Sequence, residues 1–325
     1  MHCFKYAKMK IVFTIITIFF SAVCMAQEGV VQFMNNKLHA MYNKAKYDTN
    51  YVERPAQRFN AQVFAENGQS QISWKTDNYK ADFTTYDKIS VGLKFSYLGI
   101  GGGYSFSPKY ANENSKTNEA KKFSFHYYGR IIGGEISYLK SGRVGGEVVN
   151  ANLSTEKISD TLSQKMASTD LYYVYNNKKF SYPAALTSGF FQRKPCGSLL
   201  FGFSALYSET ENSLSTTLMK QKSLSLGVGY GYNFILKDKW LIHLSVIPMI
   251  ASSNKSNFKF EGQTETIDKI DMGFIATSRL SAVYNFSRYY ISINGVMTIH
   301  QFGNEESLSV DIMNFNAHFD FGIRF

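Results

Sequence analysis

At 325 residues the chain is long enough for one large domain or two ordinary ones. Only 18% of residues are charged while 16% are aromatic, with 24 Gly, 5 Pro and a mean hydropathy of −0.21, a balance that excludes a disordered chain or a coiled coil. The formal charge is +10, and beyond the N-terminus no run approaches the roughly 18 consecutive apolar residues of a spanning helix, so a helical membrane bundle is excluded too.

The first 26 residues have the layout of a cleaved secretory signal: Lys5, Lys8 and Lys10 precede an apolar stretch from Ile11 to Phe20, and Cys24-Met25-Ala26 is a small-residue cleavage site. Val23 before Cys24 is a poor match to a lipid-attachment signal. Cys196 is then the one cysteine of the mature chain, so its stability must come from something other than an internal disulfide. Residues 27–58 lack alternation but carry Met34, Leu38, Met41 and Tyr42 at helical spacing, which predicts a short amphipathic helix and an extended linker ending at Pro55. This segment is expected either to sit in the periplasm or to fold into the lumen as a plug.

From residue 59 onward, period-two alternation predicts strands over 59–66, 88–97, 100–107, 122–130, 131–140, 169–176, 197–208, 223–235, 240–251, 268–286, 288–302 and 311–325. The clearest run sets Leu224, Leu226, Val228, Tyr230, Tyr232 and Phe234 against Ser223, Ser225, Gly227, Gly229, Gly231 and Asn233. Several runs reach the roughly 9 to 11 residues that cross a bilayer as tilted strands. The connections alternate too. Those at 98–99, 128–130, 236–239 and 286–288 are tight, whereas 67–87, 108–121, 141–168, 209–222, 252–267 and 303–310 are long and polar. Short turns on one side and long loops on the other are the pattern of an outer-membrane barrel, with both termini and the short turns in the periplasm. The expected fold is therefore all-β, a transmembrane antiparallel up-and-down β-barrel of about 12 strands, with 10 or 14 as alternatives, over residues 59–325. The connection 177–196 is long on the short-turn side. Lys179 to Leu186 is excluded as a strand by parity and by Pro183, and a further strand at Gln71 to Lys75 is set aside because it would put tight turns outside.

The last segment places Phe315, Ala317, Phe319, Phe321, Ile323 and Phe325 on one face, with Asn316, His318, Asp320, Gly322 and Arg324 on the other. Phe319, Phe321, Ile323 and the terminal Phe325 resemble the recognition signal read by outer-membrane assembly machinery, an expected partner. Tyr97, Tyr104, Tyr138, Tyr207 and Tyr284 near strand ends fit aromatic girdles.

Three segments carry a family resemblance: YDTNYV at 47–52, VGLKFSYLGIGGGYSFS at 91–107 and YYVYNNKKFSYPAAL at 172–186. Over essentially the whole mature chain the sequence resembles a bacterial outer-membrane β-barrel family known only as a domain of unknown function. The resemblance implies a barrel in the cell outer membrane and supplies no activity.

Lys94, His126, Glu135, His243, Asp271, Arg279, His300, His318, Asp320 and Arg324 fall opposite the apolar stripe and are the candidate lumen-lining residues, since a charge facing lipid costs about 2 to 4 kcal/mol at the midplane. They line either a solute path or a lumen held by charge networks. No His, Asp and Glu spacing gathers three metal ligands, and no metal or other cofactor is expected. Inward glycines, Gly92, Gly101, Gly103, Gly133, Gly202, Gly227, Gly229, Gly231 and Gly322, imply a flattened barrel or a filler: the N-terminal segment or an amphipathic ligand. His243 and Ser245 have a His-x-Ser spacing that superficially resembles twelve-stranded outer-membrane phospholipases. Here, however, the pair faces inward, while in those enzymes the nucleophile faces lipid, and spacing shows neither a base in reach nor a third group to orient it. No catalytic residue is assigned. The functional order is a pore or transporter for small or amphipathic solutes, then a structural or surface-interaction barrel, then a lipid hydrolase. Basic loop residues are expected to meet outer-membrane lipids and surface glycolipid phosphates rather than nucleic acid; the oligomeric state is left open.

Overall fold

The computed structural model describes residue 36 and residues 47–325 except 77–78, 86–87, 108–119, 151–154, 187–188, 212–216, 238, 261–262, 268–272 and 305–307. The chain divides into units 1–46 and 47–325. The expected signal peptide and the helix of the linker segment fall in the first, outside the described residues apart from residue 36, as does the candidate Asp271 within the second.

Twelve strands form the wall: β1 (Phe59–Thr76), β2 (Lys88–Tyr97), β3 (Ile100–Phe106), β4 (Lys121–Tyr128), β5 (Ile132–Asn150), β6 (Thr155–Val174), β7 (Cys196–Glu211), β8 (Thr217–Leu236), β9 (Trp240–Phe260), β10 (Gly273–Phe286), β11 (Tyr289–Asn304) and β12 (Leu308–Arg324). Each pairs antiparallel with its neighbours in sequence, and β12 pairs β1 from Leu308↔Thr76 to Arg324↔Asn60, which closes the barrel and leaves no open edge in the wall. At the rim the first and last residues seal it: the Phe59 N–H donates to the Phe325 carbonyl at 2.9 Å, and the Phe325 N–H to that of Phe59 at 3.0 Å. The expected tight turns lie at this same rim. Leu98 and Gly99 have φ of 51° and 85°, the left-handed pair that lets a two-residue hairpin follow the strand twist.

The expected loops at the opposite rim are largely strand. Residues 67–76 continue β1, including Gln71–Lys75; 141–150 and 155–168 extend β5 and β6; 217–222 and 252–260 extend β8 and β9. Two further strands join the sheet there. Residues 79–85 pair with β1 and with the end of β5, passing above the short strands β2, β3 and β4, and residues 263–267 pair with β9. Period two fails in these stretches because polar residues interrupt the apolar positions of either face, although the backbone ladder continues.

The wall presents apolar side chains outward: Leu93 is 50% exposed, Leu226 62% and Phe319 52%. Surface of this kind around a whole barrel is uncovered apolar area that only lipid satisfies. Aromatic rings run along the turn rim, Trp240 to Tyr284 at 4.8 Å, Tyr284 to Phe286 at 5.7 Å, and Phe59 to Phe325 at 5.7 Å. The buried core of the molecule is inside the barrel.

The filled lumen as candidate functional site

The side chains inside the barrel separate into two halves. On β1 to β6 and β12 they form a charged network. Glu66 accepts from Ser105 Oγ at 2.5 Å, meets Lys122 Nζ at 3.4 Å and lies 3.6 Å from His318 Nδ1. Asp320 accepts from Gln62 at 3.2 Å, Ser292 at 2.9 Å and Asn294 at 2.8 Å. Glu135 accepts from the Tyr128 hydroxyl and faces Lys94 and Lys122, and the Lys94 ammonium also lies 4.9 Å over the Phe64 ring. His126 is stacked on Tyr128 at 4.5 Å. Lys94, His126, Glu135, His318 and Asp320 are thus brought into one network. Glu66, Lys122 and Asp170 belong to the same polar face but are not among the candidates read from sequence, although their inward parity was available to find them.

On β7, β9 to β12 and the upper part of β1 the inner face also carries an apolar patch. Leu200, Ile247, Met249, Ala251, Ile275, Phe302, Val310, Ile312 and Ile72 are all buried and form one cluster with Val174 and Tyr172 of β6. His300 sits beside it, against Phe302 at 5.8 Å. Apolar packing of this extent is foreign to a water-filled channel, whose wall is polar.

Among the described residues the filler is the connection after β6. Its Phe180 and Tyr182 belong to the apolar cluster, and Pro183, Ala184 and Ala185, in the helical turn Pro183–Leu186, are buried. Lys179 to Leu186 is therefore no strand, consistent with Pro183. Residues 47–53 clamp this segment from outside the mouth: Val52 pairs with Gln192 and Glu53 with Phe191, and Arg193 forms an ion pair with Glu53. In the turn before β5, Arg130 lies 4.6 Å over the Tyr47 ring, and burial, with Arg54 nearby, pushes its guanidinium down to about 10. Arg324 closes the same mouth, bonding Asn285 at 2.6 Å and stacking 4.7 Å over Phe191 and over Tyr290.

The glycine positions are occupied rather than vacant. A Cβ on Gly322 would lie 2.1 Å from the Tyr290 ring, and one on Gly133 would lie 2.3 Å from the Tyr172 hydroxyl. At these two positions a large side chain of the neighbouring strand lies across the glycine.

Beneath the segment, His243 is fully buried. Its Nδ1 lies 2.7 Å from Asn233 Oδ1 and its Nε2 2.9 Å from Ser245 Oγ. The base in reach and the third group that spacing alone does not show are both present. The Phe180 and Tyr182 rings cover the imidazole at 6.1 and 5.2 Å. Arg279, the cross-strand partner of Ser245, hydrogen-bonds Tyr182. Among the described residues no three His, Cys, Asp or Glu side chains gather as a metal site.

A closed antiparallel barrel with an apolar exterior and a packed, partly charged interior is a transmembrane β-barrel. The chain belongs to the family described as Domain of unknown function (DUF4421), whose profile matches residues 46–325. Comparison with curated proteins gives no significant match. Similar solved structures include the beta domain of the Bordetella autotransporter Brka, at a TM-score of 0.42 and 10% identity over 80% of this chain and 98% of that one. Others are the transport unit of the autotransporter AIDA-I from Escherichia coli (0.38, 9%, 89% and 97%) and the Pseudomonas putida toluene transporter TodX (0.34, 9%, 88% and 93%). These likenesses concern barrel architecture alone.

Proposed function

We propose that the barrel sits in the outer membrane with its turn rim in the periplasm, and acts as a gated conduit for small amphipathic solutes. The observation that carries this reading is the apolar cluster running inside the wall from Phe180 and Tyr182 to Phe302 and Val310. An amphipathic solute has a chain to lay on that wall and a head group for the charged network opposite. The segment 176–195 is the gate: Phe180 and Tyr182 seat it on the apolar cluster, and the polar contacts at Asn233, Gln192 and Arg279 that fix it there exchange for water at small net cost. Basic side chains at the far rim meet surface glycolipid phosphates, and assembly machinery reads the last strand.

Planar-bilayer recordings test it. The intact protein is expected to show little ion flow, and a variant with residues 180–190 replaced by a glycine-serine linker a clear rise. Heat-modifiable gel mobility verifies folding, and Tyr182→Ala serves as the milder variant. Folded variants with unchanged conductance would refute the gate.

A further inference from the structure

We propose that Ser245, His243 and Asn233, with Arg279 beside them, form a serine hydrolase site inside the barrel, directed at esters of amphipathic acyl chains and covered in this structure by Tyr182. The inference goes beyond the conduit reading and fails separately from it.

The hydrogen bonds assign every proton. Gln192 Nε2 faces three carbonyls, of Tyr51, Lys179 and Lys194, at 3.2, 2.7 and 3.0 Å, and carbonyls only accept. Its Oε1 therefore receives the Ser181 N–H at 2.9 Å and Asn233 Nδ2 at 3.1 Å. Asn233 Nδ2 also donates to the Ser181 carbonyl at 3.0 Å, which turns Asn233 Oδ1 to His243. An amide oxygen accepts, so Nδ1 of His243 carries the hydrogen and Nε2 is left as the acceptor for the Ser245 hydroxyl. That is a nucleophile, a base and an orienting group in the required order.

The surroundings supply the rest. Arg279 sits directly across the ladder from Ser245, its Nε is buried with no hydrogen-bond partner, and its side-chain bond goes to the removable Tyr182. It is a cation placed where an oxyanion develops. On the other side of Ser245 stands Gly231, where a Cβ would come within 3.2 Å of both His243 Cε1 and Ser245 Cβ. Ile247 and Met249 continue along the same inner face as a bed for an acyl chain. A latch for the gate needs only Asn233 and Gln192; it leaves the His243 to Ser245 bond and the spare Arg279 donor without a purpose.

The reaction balances with water as co-reactant. Ser245 Oγ attacks the ester carbon while its proton passes to His243 Nε2. The carbon–oxygen bond to the alcohol breaks, and the alcohol departs with that proton. Water then attacks the acyl-serine, His243 takes and returns a proton, and acid and free serine result.

The test uses the purified full chain and decyl fluorophosphonate, which forms a phosphorus–oxygen bond to an activated serine and expels fluoride. Tyr182→Ala uncovers the site, and Tyr182→Phe frees Arg279 while keeping the ring. Peptide mass spectrometry is expected to find the adduct on Ser245 in both, faster than in the parent. His243→Ala in the Tyr182→Ala background should slow labelling ~100-fold or more, Asn233→Ala should slow it less, and p-nitrophenyl decanoate hydrolysis should follow the same order. No Ser245 adduct in either folded Tyr182 variant, or labelling indifferent to His243, would overturn the site and leave a hydrogen-bonded latch. A rise in conductance without an adduct rejects this inference and keeps the conduit; an adduct without a rise does the reverse.

Discussion

Gln192 is uncharged and lies in a connection, yet its carboxamide takes part in five hydrogen bonds, with Ser181, Asn233, Tyr51, Lys179 and Lys194. It joins the clamp at 47–53, the inserted segment and the His243 site. Each buried group orphaned by its removal costs about 1 to 3 kcal/mol, so Gln192→Ala is expected to destabilise the segment by about 3 kcal/mol. Limited proteolysis within 176–195 is the measurement, and protection equal to the parent would contradict the role. Nothing in the sequence marks Gln192, because its importance comes from three stretches meeting far apart in the chain. Lys94, Glu135, Arg279 and Asp320 are different: parity on a strand already turns them inward. Asn233 shares that parity, but its partnership with His243 follows from the register between β8 and β9, which alternation on one strand does not encode.

At the level of elements, apolar alternation reports the membrane and not the strand. In β6, Leu171 and Tyr173 face outward as alternation expects, whereas 155–168 is equally extended but carries polar or charged residues on each face between its few apolar ones, and so reads as loop. The extended hairpins therefore stand in water, beyond the bilayer. Cysteine at Glu211 or Asn257, in a Cys196→Ser background, is expected to label with an impermeant thiol reagent on intact cells, and cysteine at Lys237 to be protected. Replacing Glu211 removes its 2.7 Å pair with Lys165, an ion pair so near water that its loss leaves the fold intact. Labelling at Lys237 alone would invert the orientation. The connection 176–195 is the converse case. Its length at the short-turn rim announced an irregularity, but a local pattern cannot say that a segment folds back into a lumen, since the apolar wall receiving it comes from six other strands.

The whole molecule depends on its two ends meeting. Phe325 closes the ladder with two backbone hydrogen bonds to Phe59 and stacks on its ring at 5.7 Å, while Phe321 stacks on Tyr289 at 6.0 Å. Both rings lie on the outward face, where the sequence pattern put them. Two functions are superimposed here, a structural seam and a terminal signal, and they are separable. Deleting Phe325, or changing Phe321 and Phe325 together to Ser, is expected to abolish the heat-modifiable folded band in cells. If the aromatic end is read by assembly machinery, the deleted chain should still refold from urea into short-chain lipid vesicles, because the seventeen β12 to β1 pairs from Leu308 to Arg324 outlast the loss of the last residue. If the seam is the whole effect, refolding should fail in vesicles as well. Wild-type amounts of folded double variant in cells would remove both explanations and leave the terminal phenylalanine as ordinary lipid-facing surface.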